Sequence, residues 1–149
     1  MAELTLYYDS RCPLCATEMA RLRRFDRSGR LDFVDIRRPD FVPHHHGLDP
    51  IAIEQALHGR CDDGRLLVGV PCIVAAYQLT GRLRWTRWLN HRTVLPLSAA
   101  LYRWVARHRY RLSPWLGYRR CDGEQCQLRP VFFRRIFLFL LKFRTNKTP

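Results

Sequence analysis

Leu4-Thr5-Leu6-Tyr7-Tyr8-Asp9-Ser10-Arg11-Cys12-Pro13-Leu14-Cys15 is the stretch on which the reading of this chain turns. A short apolar run, Leu4 to Tyr8, leads into a cysteine pair separated by two residues, and helical periodicity follows. A strand that delivers two thiols to the first turn of a helix suits dithiol–disulfide chemistry. The N–H groups and positive dipole end of the helix stabilise a thiolate there. One helical turn also brings the second sulfur back over the first. Cys12 is expected to be the attacking nucleophile; for Arg11 two readings stay open, a charge that favours the Cys12 thiolate and a merely solvated side chain. Pro13 fits the first helical position, where its missing N–H costs nothing. Cys15, one turn inside, is expected to resolve a mixed disulfide. For Asp9 two roles stay open: accepting a proton from Cys15 or fixing the loop, and an ordinary turn or cap residue. A zinc site and inert thiols are the alternatives for the pair, because the CxxC spacing is common to all three.

Working outward, Met19, Leu22 and Phe25 recur at three-residue spacing, which gives an amphipathic helix ended by Ser28-Gly29. Leu31 to Ile36 alternates as a half-buried strand does, and Asp40 to Gly47 reads as a loop. Asp49-Pro50 opens a short helix through Leu57, with Asp as cap and Pro at the first position. Leu57 to Cys61, Asp62-Asp63-Gly64 and Arg65 to Gly69 form a hairpin pattern. Pro71 starts a third helix, Cys72 to Leu79. The order β-α-β-α-β-β-α predicts an α/β fold with a thioredoxin-like βαβ-ββα core. Pro96 to Arg111 adds a helix with Leu97, Leu101, Trp104, Val105 and His108 on one face and Arg103, Arg107 and Arg111 on another. Cys121 and Cys126 follow in a loop-like stretch, and Val131 to Phe143 is an apolar tail helix interrupted by Arg134, Arg135 and Lys142. That tail falls short of the about 20 apolar residues of a membrane span, so an interfacial or docked helix is the better reading.

The 149 residues suffice for one core. Charge divides the chain unevenly. Residues 1–63 carry nine Arg against eleven acids, whereas 64–149 carry seventeen basic residues against Asp122 and Glu124, for a net charge of +13 overall. A basic second half suits an anionic surface or partner. Arg103, Arg107 and Arg111 are therefore candidates for anion binding, although a helix face whose arginines pair with the acidic first half of the chain is the plainer and preferred reading; nucleic acid is not favoured. The first residues show no secretory pattern, so the expected compartment is cytoplasmic, with membrane association through residues 131–143 as an open alternative. In a reducing compartment six cysteines do not imply a disulfide framework. Cys61 and Cys72 sit in apolar segments and read as core residues. His44-His45-His46 cannot all face one ion from an extended chain, so no metal site is assigned there.

Three blocks resemble the DCC family of thiol-disulfide oxidoreductases. Asp9 with Cys12 and Cys15 matches its D-x-x-C-x-x-C motif, and Asp63-Gly64-Arg65 followed by Gly69 is similar to its central hairpin. Leu101-Tyr102-Arg103-Trp104-Val105-Ala106-Arg107-His108-Arg109-Tyr110-Arg111 resembles its second signature helix. The resemblance covers about residues 4–126, including Cys121-Asp122-Gly123 to Cys126. This gives a domain 1–126 and a basic, apolar tail 127–149. It implies a thioredoxin-like fold and dithiol exchange at Cys12 and Cys15, without a cofactor, between a disulfide-containing substrate and an external thiol reductant. One feature departs from the superfamily: no proline stands between Ile51 and Val70, where a strand-leading proline normally faces the cysteines. The rival reading is a non-catalytic module that docks on an anionic membrane surface or partner through the Arg-rich half. A zinc-stabilised structural domain is the third.

Overall fold

A computed structural model describes residues 2–81 and 84–115 of the chain; for residues 84, 85, 87 and 113–115 it describes the backbone alone. The elements are β1 (Leu4–Tyr8), α1 (Pro13–Phe25), β2 (Leu31–Asp35), a 3-10 turn (Pro43–His46) and α2 (Pro50–Gln55). They continue with β3 (His58–Cys61), β4 (Leu66–Val68), α3 (Val70–Leu79), a second 3-10 segment (Arg84–Asn90) and α4 (Leu95–Trp115). The four strands form one sheet in the order β2-β1-β3-β4. β1 pairs with β2 in parallel and with β3 antiparallel, and β3 with β4 antiparallel. This is the α/β order expected from the sequence, with a thioredoxin-like core.

The pleat of β1 sets the layers. Successive strand residues point to opposite faces, so Leu4 and Leu6 enter one core with Met19 and Leu22 of α1 and Cys72, Ala76 and Tyr77 of α3. Tyr7, of the opposite phase, joins Leu48 and Ile53 on the other face. Leu4, Leu6, Met19 and Leu22 are essentially without exposed surface, and each such side chain contributes about 1.5–3 kcal/mol through burial. Cys72 is fully buried and Cys61 half-buried. Gly59 of β3 lets α3 approach: a Cβ there would lie 2.6 Å from the Cys72 sulfur.

Element ends differ from the periodicity in instructive ways. α2 stops at Gln55 because Ala56 turns extended (φ −147°, ψ 158°) and the Leu57 N–H is taken by the Tyr102 hydroxyl at 2.8 Å. The expected loop at 40–47 contains a 3-10 turn of the histidines, closed by Gly47 in the left-handed region. α4 also presents a different face from the one its apolar residues suggested. Leu97, Leu101 and Trp104 are exposed, whereas Arg109 is buried and Tyr102 and Ala106 are partly buried. The inward stripe Tyr102–Ala106–Arg109 has helical spacing of its own, and polar contacts that no hydropathy pattern registers fix it in place. Cys121, Cys126 and the 131–143 tail lie outside the described residues. Among those described, no helix is long and apolar enough to cross a membrane.

Gly69 caps α3 with φ +69°, and its face is packed by the Tyr102 ring; a Cβ at this position would meet that ring at 2.9 Å. Gly69→Ala combines left-handed strain with a clash and is expected to lower stability by about 1–3 kcal/mol. Urea unfolding checks this; an unchanged midpoint would contradict the close approach of α4.

Candidate redox site

The site begins where β1 ends. Cys12 is the cap residue of α1, with extended φ −87° and ψ 109°, and Pro13 follows in the first turn. The Cys12 N–H donates to the Asp9 carbonyl at 3.2 Å, which closes the turn between strand and helix. The Cys15 N–H donates to the Cys12 sulfur at 3.4 Å, so the thiol takes the place that a Ser or Asp oxygen normally holds at a helix start. Both cysteines are free. Cys12 has no exposed surface, while Cys15 is partly exposed and lines a cavity of about 70 Å³ with Leu14, Tyr102, Val105 and Arg109.

Asp9 is the polar centre. Its carboxylate is 2% exposed and carries five contacts. One oxygen accepts from the Arg11 N–H and from Arg37 Nε, both at 3.0 Å. The other accepts from Arg37 Nη2 at 3.0 Å, Arg109 Nη2 at 3.2 Å and the Tyr110 hydroxyl. Burial pushes the Asp9 carboxyl upward, but hydrogen bonds from Arg37 and Tyr110, the Arg37 charge and the Arg11 N–H outweigh it, and the group is held below its ordinary value. Arg109 in turn donates to the Glu54 carbonyl at 2.8 Å and approaches the Cys15 sulfur at 3.8 Å. Arg37 is further anchored by the Glu54 carboxylate at 2.9 Å.

These contacts divide the two thiols. The hydrogen bond from the Cys15 thiol lowers Cys12; burial opposes it, while the Cys15 N–H and the Arg109 charge add to it, leaving Cys12 at about 7. Cys15 moves strongly the other way, because its proton is held by Cys12 and because burial and the Cys12 charge disfavour a second anion. At neutral pH the pair therefore holds one proton-poor and one proton-rich sulfur, the asymmetry that thiol exchange uses.

The family model for DCC1-like thiol-disulfide oxidoreductases matches residues 6–115, from β1 to the end of α4. The chain belongs to this family. No curated protein and no solved structure matches it. The DCC1-like match ends before Cys121, so it contains the dithiol and α4 but not the second cysteine pair.

Of the residues singled out from the sequence, Asp9, Cys12, Pro13 and Cys15 come together in this DCC1-like chain. Arg11 sends only its backbone N–H into the site; its side chain is exposed, and the guanidinium beside the thiols is that of Arg109. Arg103, Arg107 and Arg111 are exposed on α4. Sequence reasoning assigned no role beside the dithiol to Arg37, Arg109, Tyr102 or Tyr110. The spacing of Tyr102, Ala106 and Arg109 within the second signature helix was the available signal; for Arg37 there was none. The histidine triplet sits on its own turn, His46 packed against Tyr7 and Phe41. Among the described residues no group of three or more His, Cys, Asp or Glu could hold a metal ion.

Asp9→Asn leaves two guanidiniums facing a neutral amide and is expected to cost about 3–5 kcal/mol. The unfolded Asp9 has the higher pKa, so its contribution is full above about pH 4 and is lost as pH falls through the depressed folded value. Chemical unfolding measured across acid pH checks this; an equal acid slope in wild type and Asp9→Asn would contradict it.

Proposed function

We propose that this DCC1-like protein is a thiol-disulfide oxidoreductase in which Cys12 attacks and Cys15 resolves. The observation that carries the reading is the Cys15 N–H on the Cys12 sulfur at the start of α1, with Arg109 alongside. Cys12 thiolate attacks one sulfur of a substrate disulfide; the Cys12–substrate bond forms, the substrate S–S bond breaks, and the departing thiolate takes a proton. Cys12 is then no longer an anion and no longer holds the Cys15 proton, so the hydrogen bond that raised Cys15 most and the Cys12 charge that added to it both weaken. Arg109, still 3.8 Å away, favours the Cys15 thiolate. Cys15 attacks the Cys12 sulfur, the intramolecular disulfide forms, and the second substrate thiol leaves. The substrate gains two electrons, which the pair loses, and an external thiol reductant restores the dithiol.

Asp9 acts in this scheme as a positioning residue. Its carboxylate is ionised and engaged by Arg37, Arg109 and Tyr110, so it is a poor acceptor for the Cys15 proton and a good anchor for the Arg109 charge. Arg11 and Pro13 contribute through the backbone, one by its N–H to Asp9 and the other by fixing the first turn. Because Cys12 has no exposed surface in the dithiol form, reaction requires a local opening that exposes its sulfur to the substrate.

Cys15→Ser protein treated with 2-hydroxyethyl disulfide is expected to accumulate a single mixed disulfide, located on Cys12. Intact-mass and peptide mass spectrometry read both. Preferential labelling of Cys15 in the Cys12→Ser protein, or no adduct on Cys12, would sink the assignment of roles.

A further inference from the structure

Beside the dithiol, α4 and the β3–β4–α3 corner enclose a groove of about 740 Å³ that the exchange chemistry leaves unused. Its volume lies within the range of small-ligand sites, about 300–1,000 Å³. One wall is apolar, formed by Val68, Val70 and Pro71; the other carries Arg103, Arg107 and Arg109. Glu54 is the acidic side chain among the lining residues, and it is engaged by Arg37. Arg103 and Arg107 are exposed and make no ion pair among the described residues. One turn apart on a helix, they stand on the same face at about 5–6 Å between Cβ atoms, and each guanidinium can take a carboxylate in a bidentate pair.

Two further observations narrow the occupant. Ala56, Tyr102, Ala106 and Arg109 line both this groove and the small cavity that holds Cys15, so a ligand anchored at Arg103 and Arg107 reaches the wall of the dithiol cavity. The backbone at that wall is already engaged. The Leu57 N–H donates to Tyr102, the Ala56 carbonyl bonds His58 Nδ1, and the Glu54 carbonyl accepts from Arg109. An extended protein segment would find these groups taken, whereas a compact molecule held by side chains does not need them.

We propose that this groove binds a low-molecular-weight thiol or its disulfide carrying at least two carboxylates, with Arg103 and Arg107 as its anchors. The thiol in that ligand rests on the redox reading; the recognition of a small dianion does not. The test uses the full chain and S-methylglutathione, whose carboxylates are free and whose sulfur is blocked, so binding is separated from exchange. Isothermal titration calorimetry is expected to give saturable binding to one site, weakened about tenfold or more in Arg103→Gln/Arg107→Gln, the scale of losing charge-assisted bonds. Esterifying both probe carboxylates is expected to weaken binding similarly, an arm that needs no variant. Arg24→Gln/Arg27→Gln removes two exposed charges elsewhere and is expected to leave binding intact. Absence of saturable binding, equal binding by the Arg103/Arg107 variant, or equal loss in the Arg24/Arg27 variant would overturn the proposal. Binding without any exchange on 2-hydroxyethyl disulfide would instead overturn the redox reading and leave the groove standing.

Discussion

Asp9, a carboxylate with almost no exposed surface, joins the end of β1 to Arg37 beyond β2 and to Arg109 and Tyr110 of α4. Removing a charge from water costs several kcal/mol, and only complete pairing repays it. That constraint orders much else. It fixes the turn that presents Cys12, brings a helix from one hundred residues away across the pair, and places the Arg109 cation beside Cys15. Gly69 and the Tyr102 ring complete the same closure from the α3 side. α4 is therefore part of the site and not an appendage to the core.

Closure and reactivity pull against each other here. The contacts that set one sulfur at about 7 and hold a proton on the other also leave Cys12 without surface. α4 also carries Arg103 and Arg107, which make no ion pair among the described residues, beside a groove that shares its wall with the Cys15 cavity.

Much of this was legible in the chain. The apolar run Leu4 to Tyr8, the alternation of Leu31 to Ile36, the cysteine spacing and the Asp62-Asp63-Gly64 turn each have a local cause, and they place the strands of the sheet. Asp49 and Pro50 likewise start α2 as their chemistry requires. What remained hidden was non-local. α4 offers two stripes: the apolar one, Leu97, Leu101 and Trp104, dominates any hydropathy reading, yet it faces solvent. The stripe that packs is chosen by the Leu57 N–H, the Glu54 carbonyl and the Asp9 carboxylate, none of which is near α4 in sequence. Arg11 drew notice beside Cys12 because adjacency along the chain is visible, whereas the adjacency of Arg109 in space is not.

The most direct test of the Arg109–dithiol coupling is the pH dependence of iodoacetamide labelling at Cys12, followed by peptide mass spectrometry in wild type and Arg109→Gln. Wild type is expected to titrate at about 7, with the midpoint moving up in the variant as the cation is lost. A wild-type midpoint at the ordinary thiol value of about 8.5, or identical midpoints in the two proteins, would contradict it.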